Sequence, residues 1–185
     1  MPASPGKRRE TVSSWCFYRS TSLRTGVGVR FGVTGHQILP PEIVDRAEDH
    51  WRRVLPAGAQ LYGLSNLADG ADQLFAAHVL AAGGTLEVIL PCEGYACSLG
   101  GPDSRARFTE LRRAAATVTT MPYPEPSEQA YLAAGQALVD RCDHLFAVWD
   151  GRPARGLGGT ADIVTYARDR GCPVTVLWVE GVLRA

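Results

Sequence analysis

The chain is missing several features, and each absence narrows what it does. No stretch approaches the roughly 18 continuous apolar residues that a membrane-crossing helix needs, so no membrane partner is expected. Neither sign of charge is in excess, since 19 basic residues face 19 acidic ones. Proteins that neutralise several phosphates of a polynucleotide carry a basic surplus, and the balance here argues against that partner. The five cysteines, Cys16, Cys92, Cys97, Cys142 and Cys172, are scattered and contain no C-x-x-C pair. That usage fits reduced thiols in a cytoplasmic protein better than a disulfide framework or a zinc site. Only Cys92 and Cys97 are close enough in sequence to meet in one loop. No metal and no cofactor are expected. The start, "MPASPGKRRE", is basic but has no apolar run behind it, so it is not a secretory signal.

What is present reads as one domain with an appendage. A length of 185 residues with 45% hydrophobic content suffices to bury a core. Residues 1–26 mix Ser, Thr, Arg and Pro without periodicity. They read as an N-terminal arm, either a mobile tail or a strap held across the domain by Trp15, Phe17 and Tyr18. Residues 27–185 form the domain.

From Val27 the pattern alternates. "VGVRFGVTG", "AQLYGLS", "TLEVILP", "TVTTM", "HLFAVWD" and "CPVTVLWV" read as strands, the fourth as a weak edge strand and the last as a central one. Between them lie five helical patterns. In "PPEIVDRAEDHWRRVL", Val44, Ala47, Trp51 and Val54 share a face, and the leading prolines suit a first turn. In "DGADQLFAAHVLAAGG" the stripe is Ala71, Leu74, Phe75, His78 and Ala82. "SRARFTELRRAA" uses Phe108, Leu111 and Ala115, and "SEQAYLAAGQALVDRC" uses Tyr131, Ala134, Leu138 and Cys142. "TADIVTYARDRG" is the fifth. Strand and helix in alternation at this spacing predict an α/β, Rossmann-like, doubly wound and mostly parallel sheet flanked by helices. Such sheets bind ligands outside the carboxyl ends of their strands. The rule selects residues 34–36, 63–70, 91–95 and 149–160.

The last of these, "WDGRPARGLGGT", holds Gly151, Gly156, Gly158 and Gly159 just before a helix. Glycines there let backbone approach a ligand, and the helix start offers free N–H groups and a positive dipole end to a phosphate. Thr160 either contacts that ligand or merely caps the helix, with Asp162 favouring the dipole. "VTGHQ" lacks the spacing of a dinucleotide fingerprint, yet Thr34, Gly35 and His36 offer a hydroxyl, a close backbone and an imidazole. His78 lies on an apolar stripe and reads as packed. "SNLADGAD" supplies Ser65, Asn66, Asp69, Gly70 and Asp72 around a helix start, as caps or as partners for ribose hydroxyls. Asp150, at the end of the fifth strand, is the carboxylate placed to enter the crevice.

With these segments in view, the chain resembles the SLOG superfamily, a Rossmann-like group that includes the DNA-processing protein A family and the Lonely-guy nucleotide hydrolases. The resemblance spans about Val29 to Val179. "GLSNLADGADQLFAAHVLAAGGTLEVILP" is similar to the DNA-processing stretch with its GLA-x-G-I-D core. "VDRCDHLFAVWDGRPARGLGGTADIVTYARDRGCPVTVLWV" is similar to the nucleotide-binding end of Lonely-guy proteins and to nucleoside 2-deoxyribosyltransferases. Lonely-guy enzymes carry P-G-G-x-G-T-x-x-E with a catalytic Glu. Gly159 and Thr160 match its Gly-Thr, but Ile163 occupies the Glu position. Asp162, one residue earlier, points in another direction because a helix turns about 100° per residue.

Two readings follow. The first is a sensor or carrier domain for a nucleotide or nucleotide-derived small molecule. Its phosphate would lie on Gly156 to Thr160, and its ribose or base near Thr34 to His36 and Ser65. The second is an N-glycoside hydrolase or transferase acting on a nucleoside or nucleotide 5'-phosphate. Asp150 or Asp162 would be catalytic there, with His36 or Asp72 assisting. Apolar helix faces also permit a homodimer.

Overall fold

The computed structural model describes residues 28–154 and 156–184. The arm expected over residues 1–26 lies outside the described residues.

Six strands form one sheet in which every pairing is parallel: β1 (Arg30–Gly35), β2 (Tyr62–Ser65), β3 (Thr85–Leu90), β4 (Thr117–Thr120), β5 (His144–Val148) and β6 (Val174–Val176). Five helices alternate with them: α1 (Pro41–Val54), α2 (Ala71–Ala81), α3 (Pro102–Ala114), α4 (Glu128–Val139) and α5 (Thr160–Asp169). The spatial order is β4-β3-β2-β1-β5-β6, so the winding reverses between β1 and β5. This is the doubly wound, Rossmann-like arrangement that the alternation predicts.

Both faces are covered, and the side chains obey the period of two that a strand imposes. Val33, Leu86, Val88, Leu90, Phe146 and Val148 point to the face carrying α1, α2 and α3, where Trp51, Phe75 and Phe108 complete the core. Leu64, Ile89 and Leu145 point to the other, against Ala134 and Leu138 of α4 and Ile163 and Ala167 of α5. With each fully buried Leu or Phe contributing about 1.5–3 kcal/mol, these two layers hold the fold.

Some expectations are corrected. β6 is an edge strand rather than a central one, and it ends at Val176. Beyond it the chain curls back through Gly181, at φ +84°, with Trp178 Nε1 donating to the Val182 carbonyl at 2.9 Å. The stripe of α2 is rotated. Ala71, Asp72, Gln73, Phe75, Ala76 and Val79 are buried, while Leu74, His78 and Ala82 are only half-buried. A helix wedged between two others and a sheet is covered on most of its surface, so its sequence carries no clear single-sided period. In α1 it is Ile43, not Val44, that joins Ala47 and Trp51 in the core. In α4 the buried set is Ala130, Ala134, Gly135, Leu138 and Val139, with Tyr131 half-buried and Cys142 beyond the helix end.

Candidate functional site

Where the winding reverses, the loops after β1 and β5 diverge to opposite faces and leave a crevice. A cavity of about 530 Å³ lies there. Its wall takes Thr34 to Ile38 from the end of β1 and the loop after it, Asn66, Ala68, Asp69 and Asp72 from around the start of α2, and Pro91, Tyr95, Ser98 and Leu99 beyond β3. Glu128, Tyr131, Ala134 and Gly135 of α4, the stretch from Gly156 to Ala161, Ile163 and Arg184 close it.

The glycine loop forms one end. Gly158 sits at φ +81°, and a Cβ there would lie 2.5 Å from the Leu132 amide nitrogen. Only glycine lets this loop lie against α4 while turning. Asp162 reaches back from the first turn of α5 to accept the Gly158 N–H at 2.9 Å. Its carboxylate is therefore a loop staple, and it does not line the cavity. The N-cap of α5 is Gly159, and no side chain caps the helix, so the capping reading of Thr160 does not hold. Asp162 N–H and Ile163 N–H both bond the Gly159 carbonyl. The amides of Thr160 and Ala161 have no acceptor among the described residues, and both residues line the cavity. Free amides at a helix's positive end are an arrangement suited to an anion.

The same cavity is lined by two members of an ion-paired group, His36 and Arg184. His36 Nε2 lies 3.0 Å from Asp150 Oδ1, and the two side chains are 15% and 4% exposed. Burial alone would raise the Asp150 carboxyl. The Arg152 N–H, the His36 hydrogen bond and charge, and the Arg184 guanidinium outweigh it, holding the group below the ordinary value. With Asp150 ionised, Nε2 is the donor of the pair. Arg184 Nε approaches Asp150 Oδ2 to 3.4 Å, and the His36 ring meets Trp178 edge-on at 5.2 Å. Asp150 thus supports His36 and Arg184 from behind rather than entering the crevice.

Around the start of α2 the site is acidic and buried. Asp72, 4% exposed, accepts the Asn66 N–H at 3.1 Å, yet burial outweighs its backbone hydrogen bonds and raises the carboxyl to about 7. Ser65 is fully buried. Its hydroxyl donates to the Asp72 carbonyl and accepts the Leu67 N–H, both at 3.0 Å, so it shapes the loop without reaching the cavity. Leu67 is held at φ +57°, the left-handed region that a leucine adopts only under constraint. Gly70, at φ +71°, lies so close to the His36 and Gln37 carbonyls that a Cβ would sit 2.4 Å from each oxygen. It joins two loops and contacts no cavity space. Asp69 accepts the Gly100 N–H at 2.8 Å and the Ser104 hydroxyl, tying the start of α3 and the residue before its N-cap to the site.

The structure therefore brings Thr34, Gly35, His36, Asp72, Gly156, Gly158, Gly159 and Thr160 together around one cavity. It leaves Ser65, Gly70, Asp150, Gly151 and Asp162 out of the lining. Gly151 simply turns, at φ +80°, with open space where a Cβ would go. Glu128, Tyr95, Trp149 and Arg184 line the cavity with no motif to announce them. Among the described residues, no group of three or more His, Cys, Asp or Glu side chains is arranged to hold a metal ion.

No family model matches this sequence, and neither does any curated protein. Solved structures do match in fold. DNA processing protein A from Streptococcus pneumoniae superposes with a TM-score of 0.62 at 16% identity, covering 80% of this chain and 50% of that one. DNA processing protein A from Helicobacter pylori, a single-stranded DNA binder, gives 0.57 at 14%, covering 81% and 65%. The molybdenum cofactor binding protein from the phototrophic bacterium Rippkaea orientalis gives 0.53 at 14%, covering 82% and 77%. The chain spans half the length of the first and about two thirds of the second. What is shared is the Rossmann-like fold, the fold that the SLOG resemblance implied.

Proposed function

We propose that this domain binds a nucleotide or nucleotide-derived small molecule in the cavity at the β1/β5 reversal, as a sensor or carrier. The observation that carries the reading is the pair of amides, Thr160 and Ala161, opening from the N-terminus of α5 into a cavity of about 530 Å³. That volume falls in the roughly 300–1,000 Å³ range of small-molecule sites. A phosphate rests on these amides, with Arg184 and His36 beside it. Tyr95 and Tyr131, whose rings meet edge-on at 6.1 Å, offer an aromatic wall for a base. The structural neighbours bind single-stranded DNA or a molybdenum cofactor. The balanced charge of this chain supports the smaller ligand over a polynucleotide.

A second reading, N-glycoside cleavage, rests on Asp72. A carboxyl raised to about 7 inside the cavity is suited to proton transfer near neutral pH. Against it stands Ile163, whose buried apolar side chain packs over Gly135 at the Lonely-guy Glu position.

One incubation separates the readings. The full chain is mixed with nucleoside mono-, di- and triphosphates, a dinucleotide and a short single-stranded oligonucleotide. Melting is recorded at once, and free base is measured by chromatography after hours. A nucleotide should raise the melting temperature, survive intact, and bind at least about fivefold more weakly to Arg184→Ala, the loss of one charge-assisted contact. Release of free base that disappears in Asp72→Asn would establish the second reading. Stabilisation by the oligonucleotide alone, or by nothing in the panel, would sink the first.

A further inference from the structure

Away from the cavity, two thiols face each other. Cys142 follows α4 and Cys172 lies in the turn between α5 and β6, 30 residues apart in sequence. Their Sγ atoms are 3.8 Å apart, close enough for one thiol to hydrogen-bond the other. Both are half-buried against the Leu64, Leu138 and Leu145 layer, and neither lines the cavity. The spacing in sequence hides the pair, since nothing in it resembles a C-x-x-C. Cys92 and Cys97, the two close in sequence, differ in exposure instead, one buried and one on the surface.

We propose that Cys142 and Cys172 form a dithiol site for oxidation by peroxides, closing to an intramolecular disulfide. The pair divides the roles. A hydrogen bond from Cys142 holds the Cys172 thiol below its ordinary value, while the same bond, then burial, pushes Cys142 up. Cys172 is therefore the sulfur that presents a thiolate. It attacks a peroxide oxygen, the O–O bond breaks, and a sulfenic acid and hydroxide result when hydrogen peroxide is the oxidant. The Cys142 thiol gives its proton to that hydroxide and attacks the Cys172 sulfur. The S–O bond breaks and a second hydroxide leaves as the disulfide forms. Two electrons pass from the sulfurs to the peroxide, which ends as water and hydroxide.

The consequence follows from what lies between the two residues. Residues 142–172 comprise β5, the glycine loop and α5, the segment that carries Asp150 and the open amides. A covalent bond across that segment removes loop entropy from the unfolded chain. For a loop of this size the melting temperature rises by on the order of 10 °C.

The test treats the reduced full chain with hydrogen peroxide and follows intact mass, peptide map and melting. The expected product is lighter by two hydrogens, yields a peptide joining Cys142 to Cys172, and melts about 10 °C higher until dithiothreitol is added. In Cys142→Ser the sulfenic acid on Cys172 should persist and be captured by dimedone, which checks the order of attack without relying on stability. A disulfide joining any other pair would overturn the proposal. So would Cys172 over-oxidised beside a free Cys142, or five thiols intact after treatment.

Discussion

Two helices point their N-termini at the same cavity, and they are finished differently. At α2 the chain closes on itself. The Ala71 N–H bonds the His36 carbonyl, Gly70 is pressed against the same loop, and the Asp72 carboxyl folds back onto the Asn66 N–H. At α5 no side chain among the described residues caps the helix, and Asp162 gives its carboxylate to the Gly158 N–H rather than to the first-turn amides. The stitched end satisfies its own polar groups, whereas the open end leaves the Thr160 and Ala161 amides without an acceptor among the described residues. On the function proposed above, the anionic group of a ligand would lie at the open end.

The sharpest way to break this contrast is at the glycines of the open end. Gly158→Ala forces a side chain into left-handed backbone against the Leu132 amide, and should cost about 2–3 kcal/mol, a fall in melting temperature of roughly 5–10 °C. Gly156→Ala, where a Cβ would meet only the movable end of Glu128, should leave melting nearly unchanged. Equal losses in both would show that the loop is not anchored on α4.

At the stitched end the decisive change is Asp72→Asn. The folded carboxyl sits near 7 against an unfolded value of 3.8. The folded state therefore holds the proton longer, and stability falls as pH rises from about 4 to about 7, then levels. The full penalty above pH 7 is on the order of 4 kcal/mol. The amide keeps an acceptor for the Asn66 N–H and removes the buried charge. Asp72→Asn should raise the melting temperature at pH 8 and flatten the slope below pH 7. Denaturant titrations at pH 5 and pH 8 read both.

The smallest expected effect concerns Glu128, exposed at the start of α4 and lying against the glycine loop at Gly156. Removing its charge with Glu128→Gln should tighten binding of a nucleotide about two- to fivefold at low salt, and the gain should shrink as ionic strength rises. Weaker binding would place the anionic group elsewhere in the cavity.

Much of this was legible before any coordinates. Alternating periods identified the sheet and five helices, because a buried strand and a helix each stamp their period on which residues are apolar. The place of the glycine loop was legible as well, since a Gly-rich stretch between a strand and a helix marks the turn at the carboxyl end of that strand. Legibility stopped where a residue's role depends on a distant partner. Asp150 ends its strand in the expected place but turns to His36, because Arg184, some thirty residues on, completes the ion-paired group there. Asp162 looks free in the sequence and is taken by Gly158.

Local chemistry, then, was enough for the order of elements, the parallel sheet and the end of it where the cavity opens. These follow from periodicity and chain connectivity, which any short window of residues displays. Which carboxylate faces the cavity, which glycine is pinned, and which two of five cysteines meet were decided by packing alone. Those facts arise from contacts between segments that folding brings together, and no local spacing encodes them.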